Sequence, residues 1–318
     1  MPADGSQARR PSLGQRLWSQ PYLLLILTTL GWGGNAVASR MAVGQISPML
    51  MTAGRWGLVL TVMALTCRRQ IAESLPKVRG QWRSVLAMGA TGFTAFNALN
   101  YVAAHYTTAV NLSIVQGGIP LFVLIGGLLV HRAPIRPAQM VGVGLALVGV
   151  VLVASGGRLE TLAKLQFNLG DLMMLGASVL YAGYTVALRT RGAAAGLSAI
   201  GLFFGLAVAA FVTSLPLLAI EAATGGLHAP TAKGWAILAY IGLVPSFIAH
   251  VMFIRSVALI GPARAGLFIN LVPVFGPLLA VLVIGEAFGA YQAVALALVL
   301  GGIAVAERQV FAKGSAAA

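Results

Sequence analysis

The stretch WGGNAVASR at residues 32–40 recurs as YAGYTVALR at residues 181–189, with glycine, valine, alanine and arginine at matching positions. Farther along the chain, a shift of 153 residues pairs Pro120 with Pro273, among other identities. A repeat that covers most of a chain predicts two structurally related halves. In a strongly apolar chain, such a duplication is typical of membrane transporters, whose two halves move against each other around a shared site.

The composition is that of a membrane protein. Of the 318 residues, 58% are hydrophobic and only 9% are charged, and the mean hydropathy is +0.89. Soluble domains carry roughly 25% charged residues, so most of this surface is expected to face lipid. The net charge of +14 does not indicate nucleic-acid binding, because the basic residues fall in short loops between apolar segments, where such residues orient membrane helices.

Apolar segments long enough to cross a bilayer recur along the whole chain. A hydrocarbon core of about 30 Å needs roughly 20 residues of helix. We number the segments that meet this requirement spans 1 to 10: residues 22–43, 48–67, 82–104, 109–131, 135–154, 168–188, 197–218, 233–255, 262–284 and 288–307. The longer connections are a basic loop at 68–81, a linker at 155–167 and a segment at 219–232.

The charge in the loops predicts how the spans are oriented. Ten spans place both termini on one face, and if this face is the cytoplasm, 16 of the 21 Lys and Arg residues lie inside and 5 outside. Such a bias marks the cytoplasmic side. Each half holds an odd number of spans, so the second half enters the membrane from the opposite face. The predicted fold class is an all-α membrane protein of ten transmembrane helices, arranged as two inverted five-helix repeats.

This arrangement divides the chain into five parts. They are a cytoplasmic N-terminal segment (1–21), the first five-helix repeat (22–154), a linker (155–167), the second five-helix repeat (168–307) and a cytoplasmic tail (308–318). No cleavable signal peptide is expected, because the first apolar stretch is too long for one and lacks a convincing cleavage site.

Amide and aromatic side chains recur at mid-span depth in spans 1, 3, 4, 6, 8 and 9. They could hydrogen-bond neighbouring helices together or line a cavity, and their recurrence in six spans favours a cavity. Aromatic walls with a few amides suit an amphipathic solute, because the rings bury its apolar part and the amides orient its polar part. The predicted substrate-cavity residues are Trp32, Asn35, Phe93, Asn97, Asn100, Tyr101, Gln116, Tyr181, Tyr184, His250 and Asn270.

Charged groups are expected to stay away from the middle of the membrane. Arg55 lies partway into span 2 and is expected to snorkel outward, with a substrate contact as the less favoured alternative. The seven acidic residues fall in termini, loops or span ends, whereas ion-coupled carriers commonly hold a carboxylate at mid-membrane depth. His250 is the one deep titratable candidate, and a neutral, hydrogen-bonded histidine is favoured over a proton relay. The sequence therefore favours transport without a coupled ion.

Glycine and proline mark candidate bending points. Gly117 and Pro120 in span 4 and Pro273 in span 9 are predicted gating residues, since proline removes a backbone hydrogen bond and glycine permits close helix contact. Static packing is the alternative. Glycines in spans 5 and 10 are predicted to pack these two spans together or to pack protomers: Gly142, Gly144, Gly149, Gly301 and Gly302.

Several motifs resemble one transporter family in their order and repetition. They are GWGGN at 31–35, FIAHVMFIRSVALIGPARAG at 247–266, LVPVFGPLLA at 271–280 and IGE at 284–286. Over residues 22–307 the chain resembles the EamA-type branch of the drug/metabolite transporter superfamily, and within it the YddG-like group of bacterial aromatic amino-acid exporters. The resemblance implies an inner-membrane exporter with a central cavity lined by helices 1, 3, 4, 6, 8 and 9.

The first repeat departs from the family pattern at one position. Where the second repeat has Gly285 and Glu286 after its fourth helix, the first has Arg132 and Ala133. Any role that the family gives to this acidic position therefore carries over only to Glu286.

The favoured function is export of aromatic or apolar amino acids, or similar small metabolites, across a bacterial inner membrane by alternating access. The alternative is a proton-coupled multidrug or toxic-metabolite exporter, which usually needs a mid-membrane carboxylate. A lipid-modifying enzyme is disfavoured because the four histidines are scattered and lack carboxylate neighbours. No catalytic residue, cofactor or metal is predicted. The expected partners are a small-molecule solute and the lipid bilayer, and the expected state is a monomer or weak homo-oligomer.

Overall fold

The computed structural model describes residues 13–132, 136–158, 160, 167–191 and 196–315, and across these ranges its regular structure is entirely helical. Eight of the described helices are long and apolar enough to cross a membrane, and they coincide with predicted spans 1, 2 and 4 to 9. Their bounds are Pro21–Ala42, Pro48–Thr66, Ala109–His131, Pro137–Ala154, Leu169–Leu188, Ala199–Ala223, Ala232–Ile260 and Arg264–Ile284. The all-helical, membrane-spanning class predicted from the sequence is confirmed.

The two remaining predicted spans are helical but less clearly membrane-spanning. Span 3 runs through Trp82–Gly89, a π-helix at Ala90–Ala95 and Phe96–Ala103. Span 10 lies in the helix Ala290–Ser315, whose apolar part, Ala290–Ala306, is shorter than the other spans. The count of ten transmembrane helices therefore stays a prediction.

Two further helices flank the spans. Leu13–Trp18 precedes span 1, and Arg68–Gly80 occupies the segment that was predicted to be a basic loop, so that prediction was wrong. Arginine, lysine, glutamine and glutamate favour helix, and Arg69 forms an ion pair with Glu73 one turn later, with 2.9 Å between Nε and Oε1. The predicted segments 1–21, 155–167 and 308–318 fall partly outside the described residues.

Irregular turns occur at corresponding places in the two halves. The π-helix at Ala90–Ala95 in span 3 has its counterpart at Gly242–Ile248 in span 8. Span 4 breaks between Gln116 and Ile119, and span 9 passes through a 3-10 turn at Phe268–Leu271. Because each half repeats the other's departures from α-helix, the internal repeat extends beyond hydropathy to local backbone structure.

Spans 5 and 10 pack through glycine. A β-carbon on Gly142 would lie 2.4 Å from the carbonyl oxygen of Gly302, and a β-carbon on Gly302 would lie 2.4 Å from the carbonyl oxygen of Gly142. Gly149 is similarly close to the Ala295 carbonyl oxygen, at 2.8 Å, whereas β-carbons on Gly144 and Gly301 would meet nothing within 4 Å. The predicted glycine packing of these spans is thus confirmed at three of five positions. In lipid such close backbone contact matters, since apolar helices gain little from the hydrophobic effect.

One hydrophobic cluster joins the two repeats and positions the candidate site. It brings together Trp56 of span 2, Phe93 of span 3, Tyr184 of span 6 and Phe203 of span 7, all of them buried. Gly92 makes room for this contact, because a β-carbon there would lie 2.3 Å from the Tyr184 ring. The aromatic side chains therefore meet at the contact between the two repeats.

Candidate functional site

An arginine lies at the centre of the candidate site. Arg55 of span 2 is 4% exposed, and its Nε donates a hydrogen bond to Ser246 Oγ of span 8 at 2.9 Å. Its Nη1 donates to Asn97 Oδ1 and to the Tyr101 hydroxyl, both in span 3. The expectation that Arg55 snorkels outward is therefore wrong. Arg55 lies on the face of span 2 that packs against spans 3 and 8. Three neutral oxygens from these spans accept the hydrogen bonds of its guanidinium.

Among the residues that the structure describes, the Arg55 charge has no carboxylate partner. Within the described ranges the only ion pairs are Arg40 with Glu286 and Arg69 with Glu73. The Arg55 guanidinium instead lies near two aromatic rings, with its Cζ 5.1 Å from the Trp56 ring centroid and 5.7 Å from that of Tyr101. Cation–π contacts and neutral hydrogen bonds stabilise a buried charge without neutralising it.

Phe93 connects the arginine to the second repeat. Its ring centroid lies 4.8 Å from that of Trp56, 5.4 Å from that of Tyr184 and 6.0 Å from that of His250. The Tyr184 ring in turn contacts the Tyr181 ring, with 5.3 Å between their centroids. These separations are typical of offset and edge-to-face aromatic contacts, which hold rings in defined orientations.

His250 lies at the other side of this aromatic group. Its ring stacks on Phe203 at 4.9 Å with an interplanar angle of 5°, and it meets Trp32 edge-on at 5.4 Å. The Nδ1 atom lies 3.1 Å from the carbonyl oxygen of Pro245, and the Trp32 indole donates to the same oxygen at 3.0 Å. A backbone carbonyl thus fixes both side chains.

We call the joined group the central cluster. Its hydrogen-bonding members come from spans 1, 2, 3 and 8, and its rings come from spans 1, 2, 3, 6, 7 and 8. Its residues are Trp32, Arg55, Trp56, Phe93, Asn97, Tyr101, Tyr184, Phe203, Ser246 and His250.

The two π-helices place the polar members. Phe93 and Ser246 lie within them, and Asn97 and His250 follow one turn later. A π-helix shifts the backbone hydrogen-bond register, and Pro245 removes one donor, so carbonyl oxygens are free to accept other bonds. Asn97 Nδ2 donates to the Phe93 carbonyl and Ser246 Oγ donates to that of Ile241. Such π-helical turns are frequent at functional sites.

The structure brings most of the predicted cavity residues together. Trp32, Phe93, Asn97, Tyr101, Tyr184 and His250 belong to the central cluster, and Tyr181 adjoins it. Asn100 Nδ2 donates to Ser39 Oγ at 2.9 Å, and Ser39 Oγ donates to the carbonyl oxygen of Asn35. The side-chain Oδ1 of Asn35 is enclosed and has no hydrogen-bond partner among the described residues. Gln116 and Asn270, both half-buried, are instead placed at the breaks in spans 4 and 9.

Four members of the central cluster are not among the predicted cavity residues, and Ser246 is one of them. Arg55 was assigned to the membrane surface, and Trp56 and Phe203 were not singled out. A charged residue inside an apolar span, followed directly by tryptophan, was the available signal for Arg55 and Trp56. Phe203 carries no such signal, because phenylalanine in an apolar span is ordinary.

A second polar region lies where span 3 ends and spans 4, 6 and 10 begin. Asp171 is 1% exposed there; it accepts a hydrogen bond from Thr107 Oγ1 at 2.6 Å and one from Asn111 Nδ2 at 3.3 Å. Gln292 of span 10 donates to Asn111 Oδ1 at 2.9 Å, so this chain of bonds joins the two repeats. It borders a cavity of about 300 Å³ that Arg40 also lines.

His105 lines the same cavity. Partial burial, and secondarily the charge of Arg40, lower the pKa of His105 below its ordinary value. The environment of this cavity therefore favours the neutral form of the imidazole over the charged form.

Glutamates cap two of the spans near this region. Glu286 accepts from the backbone N–H groups of Ala109 at 2.9 Å and Val110 at 3.0 Å, at the start of span 4. Glu221 accepts from the first turn of span 2 in the same manner. A carboxylate here satisfies N–H groups that the helix leaves free and opposes the positive end of its dipole. The acidic position that resembles the family pattern thus caps a helix of the other repeat.

Comparison with known proteins identifies the family. The profile of the EamA-like transporter family matches residues 19–155 and again residues 168–307. The chain belongs to the EamA-like transporter family. Because one profile matches twice, each half of the chain is a copy of the same family unit. The chain is therefore a multi-pass membrane transporter, as its resemblance implied.

Similar proteins are named as transporters. An "Uncharacterized transporter YyaM" from Bacillus subtilis is 26% identical over 292 residues, covering 90% of this chain and 93% of that protein. A "Probable terminal-alkyne amino-acid exporter" from Streptantibioticus cattleyicolor is 24% identical over 308 residues, covering 93% and 95%. An "Uncharacterized inner membrane transporter YedA" from Escherichia coli is 23% identical over 272 residues, covering 85% and 84%.

A solved crystal structure shares the fold. It superposes with a TM-score of 0.61 at 24% sequence identity, covering 91% of this chain and 96% of that chain. At this level of identity the similarity concerns the architecture alone.

Proposed function

We propose that this transporter exports aromatic or apolar amino acids, or similar small metabolites, across a bacterial inner membrane. The central cluster carries the proposal, because it combines aromatic rings with a few fixed hydrogen-bonding groups at the contact between the repeats. Such a surface suits a solute with one apolar and one polar end. The relative named as a probable amino-acid exporter, which aligns over 93% of this chain, supports the same substrate class.

The proposed mechanism is alternating access. Ten spans in two inverted repeats, with both termini in the cytoplasm, would let the repeats rock so that the central cluster opens to one side at a time. The breaks in spans 4 and 9 support this mechanism, because backbone interrupted at corresponding places in both repeats can bend without losing further hydrogen bonds.

We further propose that no ion is coupled to transport. Within the described residues, the central cluster contains no carboxylate. Asp171 is the one acidic side chain that is fully buried among them, and its hydrogen bonds go to Thr107 and Asn111 rather than to the cluster. The solute gradient would then set the direction of net movement.

Transport by purified protein in proteoliposomes tests the proposal. We expect saturable counterflow of labelled phenylalanine or tryptophan, with unchanged rates when a pH gradient is imposed or collapsed, and with Asp171→Asn close to wild type. Liposomes without protein are the control. Strict dependence on the pH gradient that disappears in Asp171→Asn would instead establish the proton-coupled alternative. No movement of any amino acid would contradict the substrate class.

A further inference from the structure

We infer that Arg55 binds the carboxylate of the transported solute, which would make the substrate an apolar or aromatic monocarboxylate. The inference rests on the proposed function, because it assigns the polar end of the solute to one side chain. The observation behind it is a buried guanidinium whose described partners are all neutral.

An uncompensated charge at this depth is unfavourable unless an anion joins it. Arg55 lies inside span 2 and is almost completely buried. Charged side chains within membrane helices are rare, are usually paired, and commonly mark a solute pathway. Asn97, Tyr101 and Ser246 orient the guanidinium but bring no negative charge. The structure therefore leaves the counter-charge to a molecule that arrives from outside the chain.

The guanidinium also keeps donors for such an anion. It has five N–H groups, of which Nε uses one and Nη1 uses two in the hydrogen bonds described above. Nη2 makes no hydrogen bond to a described residue. The neighbouring Trp56 Nε1 is enclosed and also has no hydrogen-bond partner in the described part of the chain. Both free N–H groups belong to Nη2 and point in different directions, so a carboxylate could accept one hydrogen bond from Nη2 at once. It would complete the parallel pair by replacing a neutral acceptor of Nε or Nη1.

The surroundings specify the rest of the solute. The rings of Trp56 and Phe93 lie beside Arg55, and Phe203 and His250 continue the aromatic surface. An apolar or aromatic body next to the carboxylate would fit against these rings. Arg55 is the one Lys or Arg in the central cluster, so a single negative charge is expected rather than a phosphate dianion, which would call for a second cation. A cationic solute would be repelled.

Arg55 also bridges the two repeats. Its partners Asn97 and Tyr101 belong to the first repeat, and Ser246 belongs to the second. A carboxylate bound to the guanidinium would therefore act at the contact that alternating access must rearrange. A purely structural role for Arg55 is the competing interpretation, and the experiment below separates the two.

Ligand binding to the detergent-purified full chain tests the inference without requiring transport. The probes are L-phenylalanine, phenylacetate, which lacks the amine, and phenethylamine, which lacks the carboxylate. Affinity is measured by tryptophan fluorescence and by the shift in Tm. We expect wild type to bind the two carboxylates and not phenethylamine. Arg55→Gln should weaken carboxylate binding on the order of 30-fold or more, whereas Arg255→Gln, which removes a charge near the end of span 8, should bind as wild type does.

A second variant covers the case in which Arg55→Gln does not fold. Asn97→Asp places a carboxylate beside the guanidinium in exchange for the hydrogen bond from Asn97 Nδ2 to the Phe93 carbonyl, so it should keep the fold while weakening phenylacetate binding by about tenfold or more. A structural role predicts no loss of affinity in this variant. Unchanged phenylacetate affinity in Arg55→Gln or Asn97→Asp would overturn the inference, as would wild type that binds phenethylamine as tightly as phenylalanine or binds none of the probes.

Failure of the inference is distinguishable from failure of the proposed function. Arg55-dependent carboxylate binding with no amino-acid movement in proteoliposomes would contradict amino-acid export and leave the carboxylate site in place. Amino-acid counterflow that is unaffected by Arg55→Gln would support amino-acid export and overturn the carboxylate site.

Discussion

Gly117 packs directly against Pro273, so that a β-carbon on the glycine would lie 2.8 Å from Cβ of the proline. Gly117 follows the first helix of span 4, and Pro273 lies in the first turn of the helix that resumes span 9. Two of the three predicted gating residues therefore meet where both repeats depart from regular helix. Pro120, the third, lies in the first turn of the helix that resumes span 4. Their gating role remains a prediction, but the contact shows where to test it.

Substitution of Gly117 by alanine is expected to slow transport. The added methyl group would also lie 3.0 Å from the Ile114 carbonyl oxygen and from Val299 Cγ1, so either the two breaks separate or their relative movement is hindered. Overpacking of this kind costs about 1–3 kcal/mol of stability. We expect counterflow in proteoliposomes to fall by about tenfold, the factor that 1.4 kcal/mol on a barrier gives.

The matched control is Gly127→Ala in the same span, where a β-carbon would meet nothing within 4 Å. It should transport at the wild-type rate. If Gly117→Ala lowers the Tm but leaves the rate unchanged, the contact is static packing and the gating prediction is wrong.

Removal of the Glu286 carboxylate is expected to destabilise the fold. Glu286→Ala leaves the N–H groups of Ala109 and Val110 without their acceptor at the start of span 4. Losing a helix N-cap costs about 0.5–2 kcal/mol, so the Tm in detergent should fall by several degrees. Glu73→Ala is the comparison, since Glu73 joins only an exposed ion pair and such pairs contribute about 0–1 kcal/mol. Equal Tm values for the two variants would exclude a capping role.

Two adjacent glycines in span 10 should respond in opposite ways to the same change. Gly302→Ala would place a methyl group 2.4 Å from the Gly142 carbonyl oxygen, whereas Gly301→Ala would place one in open space. Because backbone cannot yield as a flexible side chain does, Gly302→Ala is expected to lower stability by about 1–3 kcal/mol. Gly301→Ala should be neutral or slightly stabilising, since alanine has the higher helix propensity. Thermal unfolding of the purified variants distinguishes them, and similar Tm values would contradict the packing described.

The native cysteine offers a test of the proposed topology. With both termini cytoplasmic, half-buried Cys67 at the end of span 2 faces the cytoplasm. A membrane-impermeant maleimide should therefore label it in inverted vesicles and not in intact spheroplasts. Leu227→Cys in a Cys67→Ser background should give the reverse, because Leu227 is exposed in the connection before span 8. Labelling of both positions from one face would contradict the ten-span inverted arrangement.

The sequence predicted the spans well because hydrophobic length is a property of consecutive residues. The surroundings of the Arg55 side chain depend instead on how span 2 is rotated about its own axis relative to spans 3 and 8. In those two spans a π-helix inserts an extra residue, which rotates the following side chains by about 100° relative to an uninterrupted α-helix. The regular spacing of Asn97 and Tyr101 could therefore indicate a shared face but not the partner that this face contacts.

The same limit explains the helix that was predicted to be a loop. Arg68–Gly80 is rich in charge, and a hydropathy criterion separates such a segment from the membrane without deciding its conformation. The segment is helical because its residues have high helix propensity and because Arg69 and Glu73 are spaced to pair across one turn. A prediction from hydropathy uses neither property.

Arg132 provides a case in which a substitution should stabilise the protein. Within the described ranges it is the one non-glycine residue with positive φ, at 51°, and its counterpart in the second repeat is Gly285, at 67°. The left-handed conformation costs a non-glycine residue about 1–2 kcal/mol, and Arg132→Gly relieves this strain. Glycine also gives the unfolded chain more conformational freedom, which offsets part of the gain in stability. We therefore expect a gain of roughly 0.5–1 kcal/mol, seen as a higher Tm. Arg136→Gly, at a residue with φ of −78°, gains no such relief and should lower the Tm. A lower Tm in Arg132→Gly as well would show that contacts of the arginine outweigh its backbone strain.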